Sequence, residues 1–201
     1  KMIITDGVFS MDGDIAPLDK LYELSKEYNA LLMVDDAHAT GVIGNGRGTA
    51  HHFGLTDVDV QLGTLSKALG SVGGYVAGRK ELIEYLINYS RSFIFSTALS
   101  PADIGAGLEA LRIIRDEPSV VDTLRDNTVY MAYKLQAMGI DCDDETPIFP
   151  IVVGENNRAL TLARELEERG IIITAIRPPT VPVGESRLRM TVTAAHSKEQ
   201  L

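Results

Sequence analysis

The feature that most constrains the fold is an alternation of short apolar runs with longer segments of helical periodicity. Apolar runs of roughly four to six residues predict strands, and apolar residues at three- and four-residue spacing predict helices. This alternation is typical of an α/β sheet whose parallel strands are joined by crossover helices. The 201 residues are enough for one large domain or two small ones.

The pattern changes near residues 116–118. The region 1–115 predicts a mainly parallel α/β sheet, and the region 116–201 predicts a smaller α+β unit. Predicted strands fall at 2–5, 30–34, 58–62, 73–78, 148–153, 171–175 and 187–193. Predicted helices fall at 16–28, 81–89, 101–115, 120–138 and 158–169, and residues 198–201 resemble the opening of a further helix. Because the first region has few strands for a three-layer domain, we expect the chain to be part of a longer protein.

Composition excludes several classes of partner. With 28 Asp and Glu against 19 Lys and Arg, the net charge of −9 disfavours nucleic acid. No apolar run approaches the roughly 18 to 20 residues needed to cross a bilayer, so no membrane partner is expected. The single cysteine, Cys142, can form neither an internal disulfide nor a CxxC metal site, which favours a cytoplasmic location.

Two carboxylates and a histidine directly follow the predicted strand at 30–34. Asp35, Asp36 and His38 would lie at the carboxyl edge of the sheet, where open α/β sheets bind ligands. Adjacent residues at a strand end point to opposite faces, so only one of the two carboxylates faces a given site. The alternative is that Asp36 caps a turn and His38 is an ordinary loop histidine.

A lysine follows the predicted strand at 58–62 and would reach the same edge. Lys67 is preceded by the hydroxyl residues Thr64 and Ser66, and the segment 63–70 begins and ends with glycine. Most lysines are solvated surface residues, but a lysine at a strand end can instead form a Schiff base with a carbonyl. The segment lacks the GxxxxGK[ST] pattern of a P-loop, which disfavours nucleotide hydrolysis.

An acidic residue, a histidine three positions later and a strand-end lysine together suit pyridoxal 5'-phosphate. In such sites a carboxylate keeps the pyridine nitrogen protonated, a lysine carries the aldehyde, and hydroxyl and amide groups hold the phosphate. Each residue alone is weak evidence, whereas the combination at one sheet edge is specific. The sequence therefore predicts a pyridoxal phosphate enzyme without a metal site.

The sequence resembles the α-oxoamine synthases, fold-type I pyridoxal phosphate enzymes that join an amino acid to an acyl thioester with loss of carbon dioxide. The resemblance covers essentially the whole chain. Its motifs are DGVFSMDGD at 6–14, VDDAH at 34–38, GTLSK at 63–67, ST at 96–97 and RLR at 187–189. It implies that residues 1–115 are the carboxyl-terminal part of a large cofactor-binding domain and that residues 116–201 form the small domain.

The resemblance also implies roles for residues around the cofactor. Lys67 would bind the cofactor aldehyde and later move protons at the substrate carbons. Asp35, rather than Asp36, would pair with the pyridinium nitrogen. His38 would hydrogen-bond the phenolic oxygen. The remaining implied cofactor contacts from this chain are Ser10, Thr64, Ser96 and Thr97.

Substrate and subunit contacts follow from the same resemblance. Ser96 and Thr97 correspond to the segment that reaches the phosphate in a neighbouring subunit, which implies a homodimer. Arg189 would bind the amino-acid carboxylate through a bidentate pair, with Arg187 on the same strand face but less directly engaged. The segment 175–182 is most similar to family members that condense L-alanine with a pimeloyl thioester.

Alternatives remain at the sequence level. Members that join glycine to acetyl-CoA share the other motifs, and the polar residues of 175–182, Arg177 and Thr180, could simply flank a Pro-Pro turn instead of contacting substrate. An aminotransferase of the same fold would share Asp35 and Lys67 but would not explain His38 together with the RLR strand. The family's glycine-rich phosphate loop and ring-stacking side chain lie upstream of residue 1, so an inactive, cofactor-free truncated product is another alternative.

Overall fold

The computed structural model describes residues 1–201, which form two compact units. The first unit comprises Lys1–Phe9 and Ile15–Asp122, and the second comprises Ser10–Asp14 and Thr123–Leu201. The predicted boundary between residues 115 and 116 lies in the last turn of a helix. The chain passes into the second unit a few residues later, inside the next helix.

The first unit is built on a four-stranded sheet. Its elements are β1 (Met2–Asp6), α1 (Leu18–Glu27), β2 (Leu31–Asp35), α2 (Thr49–His52), β3 (Val60–Thr64), β4 (Gly74–Gly78), α3 (Lys80–Tyr89), α4 (Arg91–Ile94) and α5 (Pro101–Asp116). The strand order is β1-β2-β3-β4, in which β1, β2 and β3 are parallel and β4 is antiparallel. The carboxyl ends of β1, β2 and β3 therefore lie at one edge of the sheet.

The core of this unit covers one face of the sheet. Leu32 and Val34 of β2 are fully buried, and they share a cluster with Leu18 of α1, Ala50 and Val58. On the opposite face of β2, Leu31 is 48% exposed and Met33 is half-buried. The continuous apolar run at 30–34 is typical of a strand buried on both faces, but α1 and the neighbouring segments cover only the face that carries Leu32 and Val34.

The second unit contains a three-stranded antiparallel sheet. Its elements are the larger part of α6 (Ser119–Ala137), then β5 (Ile148–Gly154), α7 (Asn156–Glu167), β6 (Thr174–Ile176) and β7 (Ser186–Thr191), with strand order β5-β7-β6. Phe149 of β5 is fully buried among residues of α6, including Met131, Ala132 and Leu135. This α+β arrangement agrees with the fold class predicted for the region.

The local structure differs from the predictions at one strand and at two short helices. The strand predicted at 171–175 begins only at Thr174, because Gly170 has a positive φ of 81° and Ile171 N–H still bonds back to Leu166 of α7. Residues 198–200 form a turn in which the N–H groups of Gln200 and Leu201 both donate to the Ser197 carbonyl, and the bond from Leu201 has the i→i−4 spacing of a helix, in agreement with the predicted helix opening. The short helices α2 and α4 were not predicted, because four residues carry too little periodicity to show.

None of the helices combines the length and the apolar character that a bilayer span requires.

Candidate active site

Two acidic residues end neighbouring strands at the carboxyl edge of the first sheet. Asp6 ends β1 and Asp35 ends β2, and the two are register partners. Register partners in adjacent strands lie about 5 Å apart and point to the same face. Thr64 ends β3 one strand further along, so three polar side chains mark this edge.

Lys67 and His38 are brought into contact at this edge. The Lys67 amine lies 2.9 Å from Nε2 of the His38 imidazole, although 29 positions separate the two residues. Lys67 is exposed and His38 is half-buried. An amine held beside an imidazole has a partner with which it can exchange a proton.

Asp35 and Asp36 point to different environments, as the alternation of a strand predicts. Asp35 is half-buried, and its Oδ1 accepts a hydrogen bond of 2.9 Å from the backbone N–H of Ala37. Asp36 is only 4% exposed, and its Oδ2 accepts a hydrogen bond of 2.9 Å from the N–H of Thr49. Burial raises the pKa of Asp36 above its usual range. Asp36 is therefore enclosed by protein, and Asp35 is the carboxylate that shares a sheet face with Asp6.

Asp6 also belongs to this polar group, although its sequence position alone predicted no role for it. Burial raises the pKa of Asp6, the negative charge of Asp35 raises it further, and the positive charge of Lys67 acts in the opposite direction. These interactions show that Asp6, Asp35 and Lys67 share one electrostatic environment. Like Asp35, Asp6 directly follows a predicted strand and ends a parallel strand, so its place at this edge could be predicted from the sequence.

The turn that presents Lys67 is fixed by the hydroxyl group of Thr64. Thr64 Oγ1 donates to the carbonyl of Gly73 at 3.0 Å and lies 2.8 Å from Ser66 Oγ. The backbone closes around Lys67, because Gly70 N–H donates to the Lys67 carbonyl at 3.0 Å. Gly70 has a positive φ of 61°, a conformation that side-chain-bearing residues rarely adopt. Thr64 and Ser66 therefore place two hydroxyl groups beside the lysine.

In the second unit, the two arginines of β7 have different partners. Arg187 is 3% exposed and forms ion pairs with Asp12 and Glu185. Arg189 is half-buried, and its Nε donates to the backbone carbonyl of Ser10. Burial lowers the pKa of Arg189 from its usual high value. Since Arg187 is already paired with carboxylates, Arg189 is better suited to receive the carboxylate of a ligand.

The other residues singled out from the sequence lie at the surface of their units. Ser96 and Thr97 are exposed in the loop between α4 and α5. Arg177 and Thr180 are exposed at the two ends of a turn, in which Thr180 N–H donates to the Arg177 carbonyl at 3.1 Å. The peptide bond between the two prolines of that turn is cis.

The functional groups of the first unit suit pyridoxal phosphate. An amine, an imidazole, two carboxylates and two hydroxyls are the groups that would meet its aldehyde, phenolic oxygen, pyridine nitrogen and phosphate. No group of three or more His, Cys, Asp and Glu side chains is arranged to hold a metal ion.

Curated relatives are similar to this chain along its whole length. The 8-amino-7-oxononanoate synthase of Thermoanaerobacter pseudethanolicus is 52% identical over 204 residues, which cover 100% of this chain and 52% of the relative. The enzyme of the same name from Lysinibacillus sphaericus is 53% identical over 204 residues with the same coverage. The chain thus spans about half the length of the curated relatives it matches.

Solved structures and a family pattern agree with these relatives. Serine palmitoyltransferase of Sphingomonas wittichii is 31% identical with a TM-score of 0.94, covering 99% of this chain and 51% of that one. The 8-amino-7-oxononanoate synthase of Francisella tularensis is 31% identical with a TM-score of 0.85, covering 99% and 59%. These similarities confirm the expected fold-type I architecture and the resemblance to the α-oxoamine synthases. The pattern of the family described as aminotransferase class I and II matches residues 1–201, so the chain belongs to that family.

Proposed function

We propose that the protein containing this chain is a pyridoxal phosphate-dependent acyltransferase that makes 8-amino-7-oxononanoate in biotin synthesis. It would condense L-alanine with a pimeloyl thioester, carried by coenzyme A or a carrier protein. A carbon–carbon bond forms between the alanine α-carbon and the thioester carbonyl, and carbon dioxide and the free thiol leave. The observation that carries the proposal is the Lys67–His38 contact beside Asp35 at the sheet edge. About half of all positions are identical to those of enzymes named 8-amino-7-oxononanoate synthase, and this similarity supports the proposed product.

Lys67, Asp35 and His38 would hold the cofactor. Lys67 would bind its aldehyde carbon, Asp35 its pyridine nitrogen and His38 its phenolic oxygen. When bound, pyridoxal phosphate supplies an electron sink that stabilises negative charge on the substrate α-carbon. The hydroxyl of Thr64 keeps the turn closed and so fixes the direction from which the Lys67 amine approaches.

The Lys67 amine would also act as the acid and base at the substrate carbons. His38 Nε2, 2.9 Å away, can accept or return a proton at Nζ. Asp6 and Asp35 are register partners on one face of the same edge. Arg189 would hold the amino-acid carboxylate, and the Ser10 carbonyl would orient its guanidinium.

The contrasting partners of the β7 arginines lead to a paired prediction. Arg189→Ala is expected to raise the KM for alanine about 10- to 100-fold, because a charge-assisted hydrogen bond of about 1.5 to 3 kcal/mol is lost. Arg187→Ala is expected instead to lower the melting temperature, since it removes a buried side chain paired with Asp12 and Glu185. Steady-state kinetics and thermal unfolding of both full-length variants test this. A normal alanine KM in Arg189→Ala would refute the assignment.

We also propose that the protein is a homodimer in the cytoplasm. The exposed residues Ser96 and Thr97 would reach the cofactor phosphate of the second subunit. Their hydroxyl groups are suited to hydrogen-bond phosphate oxygens.

The acyl substrate gives a second prediction. Arg177 is an exposed cation next to a Pro-Pro turn, and the terminal carboxylate of a pimeloyl chain would give it a partner that acetyl lacks. Arg177→Met is expected to lower kcat/KM for pimeloyl-CoA about 10- to 100-fold and to leave the melting temperature unchanged. Arg169→Met, at an exposed arginine beyond α7, is the matched control.

Alternative activities are separated by comparing three substrate pairs with the full-length enzyme. We expect the highest kcat/KM for alanine with pimeloyl-CoA. A preference for glycine with acetyl-CoA would instead identify a glycine C-acetyltransferase, and a preference for serine with palmitoyl-CoA would identify a serine palmitoyltransferase. Absence of a visible band when pyridoxal phosphate is added to the 201-residue chain by itself would favour the inactive, cofactor-free truncated product.

A further inference from the structure

The loop between β2 and α2, which carries His38, contains one buried carboxylate. Asp36 Oδ2 accepts from the N–H of Thr49 at 2.9 Å, and the Asp36 N–H donates to the carbonyl of Leu62 in β3 at 2.7 Å. The Asp36 carbonyl also accepts from the N–H groups of Ala39 and Thr40, at 3.0 and 2.9 Å. Asp36 therefore ties both ends of the loop to each other and to the strand that leads to Lys67.

Two glycines leave room for this carboxylate. A Cβ atom on Gly7 would lie 2.2 Å from Asp36 Oδ1, and one on Gly48 would lie 2.1 Å from Asp36 Oδ2. Gly48 also has a positive φ of 89°. The backbone at both positions thus approaches Asp36 more closely than any side-chain-bearing residue allows.

The burial of Asp36 is costly for stability. The residue is 4% exposed, and its carboxylate is hydrogen-bonded by both the N–H and the side chain of Thr49. Burying a charged group costs free energy that an apolar side chain of similar shape would not cost. Core packing therefore does not explain an aspartate here, whereas the bond to Thr49 does give it a geometric role.

The hydrogen bond between Asp36 and Thr49 lies in the same loop as His38. His38 lies two residues after Asp36, inside the turn closed by the Ala39 and Thr40 N–H groups, and its imidazole meets the Lys67 amine at 2.9 Å. We propose that Asp36 is a positioning residue whose buried carboxylate holds this loop so that His38 stays against Lys67. The inference rests on the proposed function, because it gives the His38–Lys67 contact a catalytic purpose.

The test measures how fast the full-length, cofactor-free protein forms a visible absorption band with added pyridoxal phosphate. Asp36→Ala is expected to lower that rate constant about 10²-fold, since an amine or imidazole misplaced by about 1 Å loses that much. Asp36→Asn retains an oxygen that accepts the Thr49 N–H and is expected to stay within about threefold of the unsubstituted protein. Dissociation constants from the same titration and separate kcat and KM values complete the comparison.

Asp59→Ala is the matched control. Asp59 also accepts a backbone hydrogen bond, from Leu32 N–H at 2.9 Å, and its side chain is 14% exposed, but it lies away from the carboxyl edge. The Asp59→Ala variant is expected to have a lower melting temperature and an unchanged rate constant for formation of the absorption band. Asp36→Leu, which keeps the branched shape but cannot accept a hydrogen bond, replaces Asp36→Ala if the latter does not fold.

Four outcomes would overturn the inference. They are an unchanged rate constant in Asp36→Ala, an equal fall in Asp59→Ala, an equal fall in Asp36→Asn, and failure of both the Ala and Leu variants to fold. An equal fall in Asp36→Asn would assign the effect to charge instead of position. Absence of a band in the unsubstituted protein would instead overturn the proposed function, and this inference with it.

Discussion

A full-length protein carrying Lys67→Ala is expected to form no covalent adduct with pyridoxal phosphate and to lose turnover on the order of 10⁵-fold or more. Lys67 follows β3 at the carboxyl edge, and its amine lies 2.9 Å from His38. Removing the amine removes both the attachment point for the aldehyde and the group that moves protons at the substrate carbons. None of the other lysines of this chain lies at the carboxyl ends of β1, β2 and β3.

Borohydride reduction of the cofactor-loaded protein, followed by peptide mapping, locates the attachment point. The pyridoxyl mass is expected on Lys67. Lys26→Ala and Lys80→Ala are the controls, because these lysines pair with Asp57 at 3.3 Å and Glu84 at 3.5 Å in exposed positions. Both controls should keep the adduct and full turnover, and a pyridoxyl mass on either lysine would contradict the assignment.

The sequence could predict residues whose position follows from a strand end. Asp35, His38 and Lys67 each follow an apolar run, and parallel strands bring their carboxyl ends to one edge. This prediction requires only the spacing of apolar residues along the sequence and the parallel direction of the strands. It therefore predicted that His38 and Lys67, 29 positions apart, would lie at the same edge of the sheet, and the structure adds that the two side chains are in contact.

Properties that depend on distant partners could not be predicted in this way. Strand periodicity puts Arg187 and Arg189 on one face, and only the structure shows that Arg187 is engaged by Asp12, 175 positions away. Likewise, Asp36 is tied to Thr49 across a loop with no regular period. Loop conformation is set by such individual hydrogen bonds, which leave no repeating signal in the sequence.

The electrostatic interactions at the carboxyl edge of the sheet could likewise be deduced only from the structure. The pKa of Asp6 is raised by burial and by the charge of Asp35, and this effect depends on the register that pairs the two residues. A shift of one residue in that register would turn one carboxylate to the other face. Two carboxylates on the same face strengthen the negative potential that a protonated pyridine nitrogen would meet.

Asp35→Asn is expected to retain cofactor binding and to lower turnover on the order of 10³-fold or more. The amide oxygen can still accept the Ala37 N–H, so the turn that carries His38 is retained. A neutral amide, however, cannot stabilise a proton on the pyridine nitrogen, and the cofactor then withdraws electrons less strongly. The measurements are the dissociation constant for pyridoxal phosphate and kcat with alanine and pimeloyl-CoA.

Asp36→Asn is the matched control for Asp35→Asn, because it removes the same charge from the adjacent residue. Asp36 is enclosed against Thr49 on the face opposite to Asp35, and its amide replacement keeps the hydrogen bond that fixes the loop. We expect kcat of Asp36→Asn to stay within about threefold of the unsubstituted enzyme. If Asp36→Asn loses turnover and Asp35→Asn does not, the carboxylate facing the cofactor is Asp36, and the strand-end register deduced for β2 is wrong. If both variants lose turnover equally, the effect comes from net charge at the edge, and neither carboxylate is a specific partner of the pyridine nitrogen.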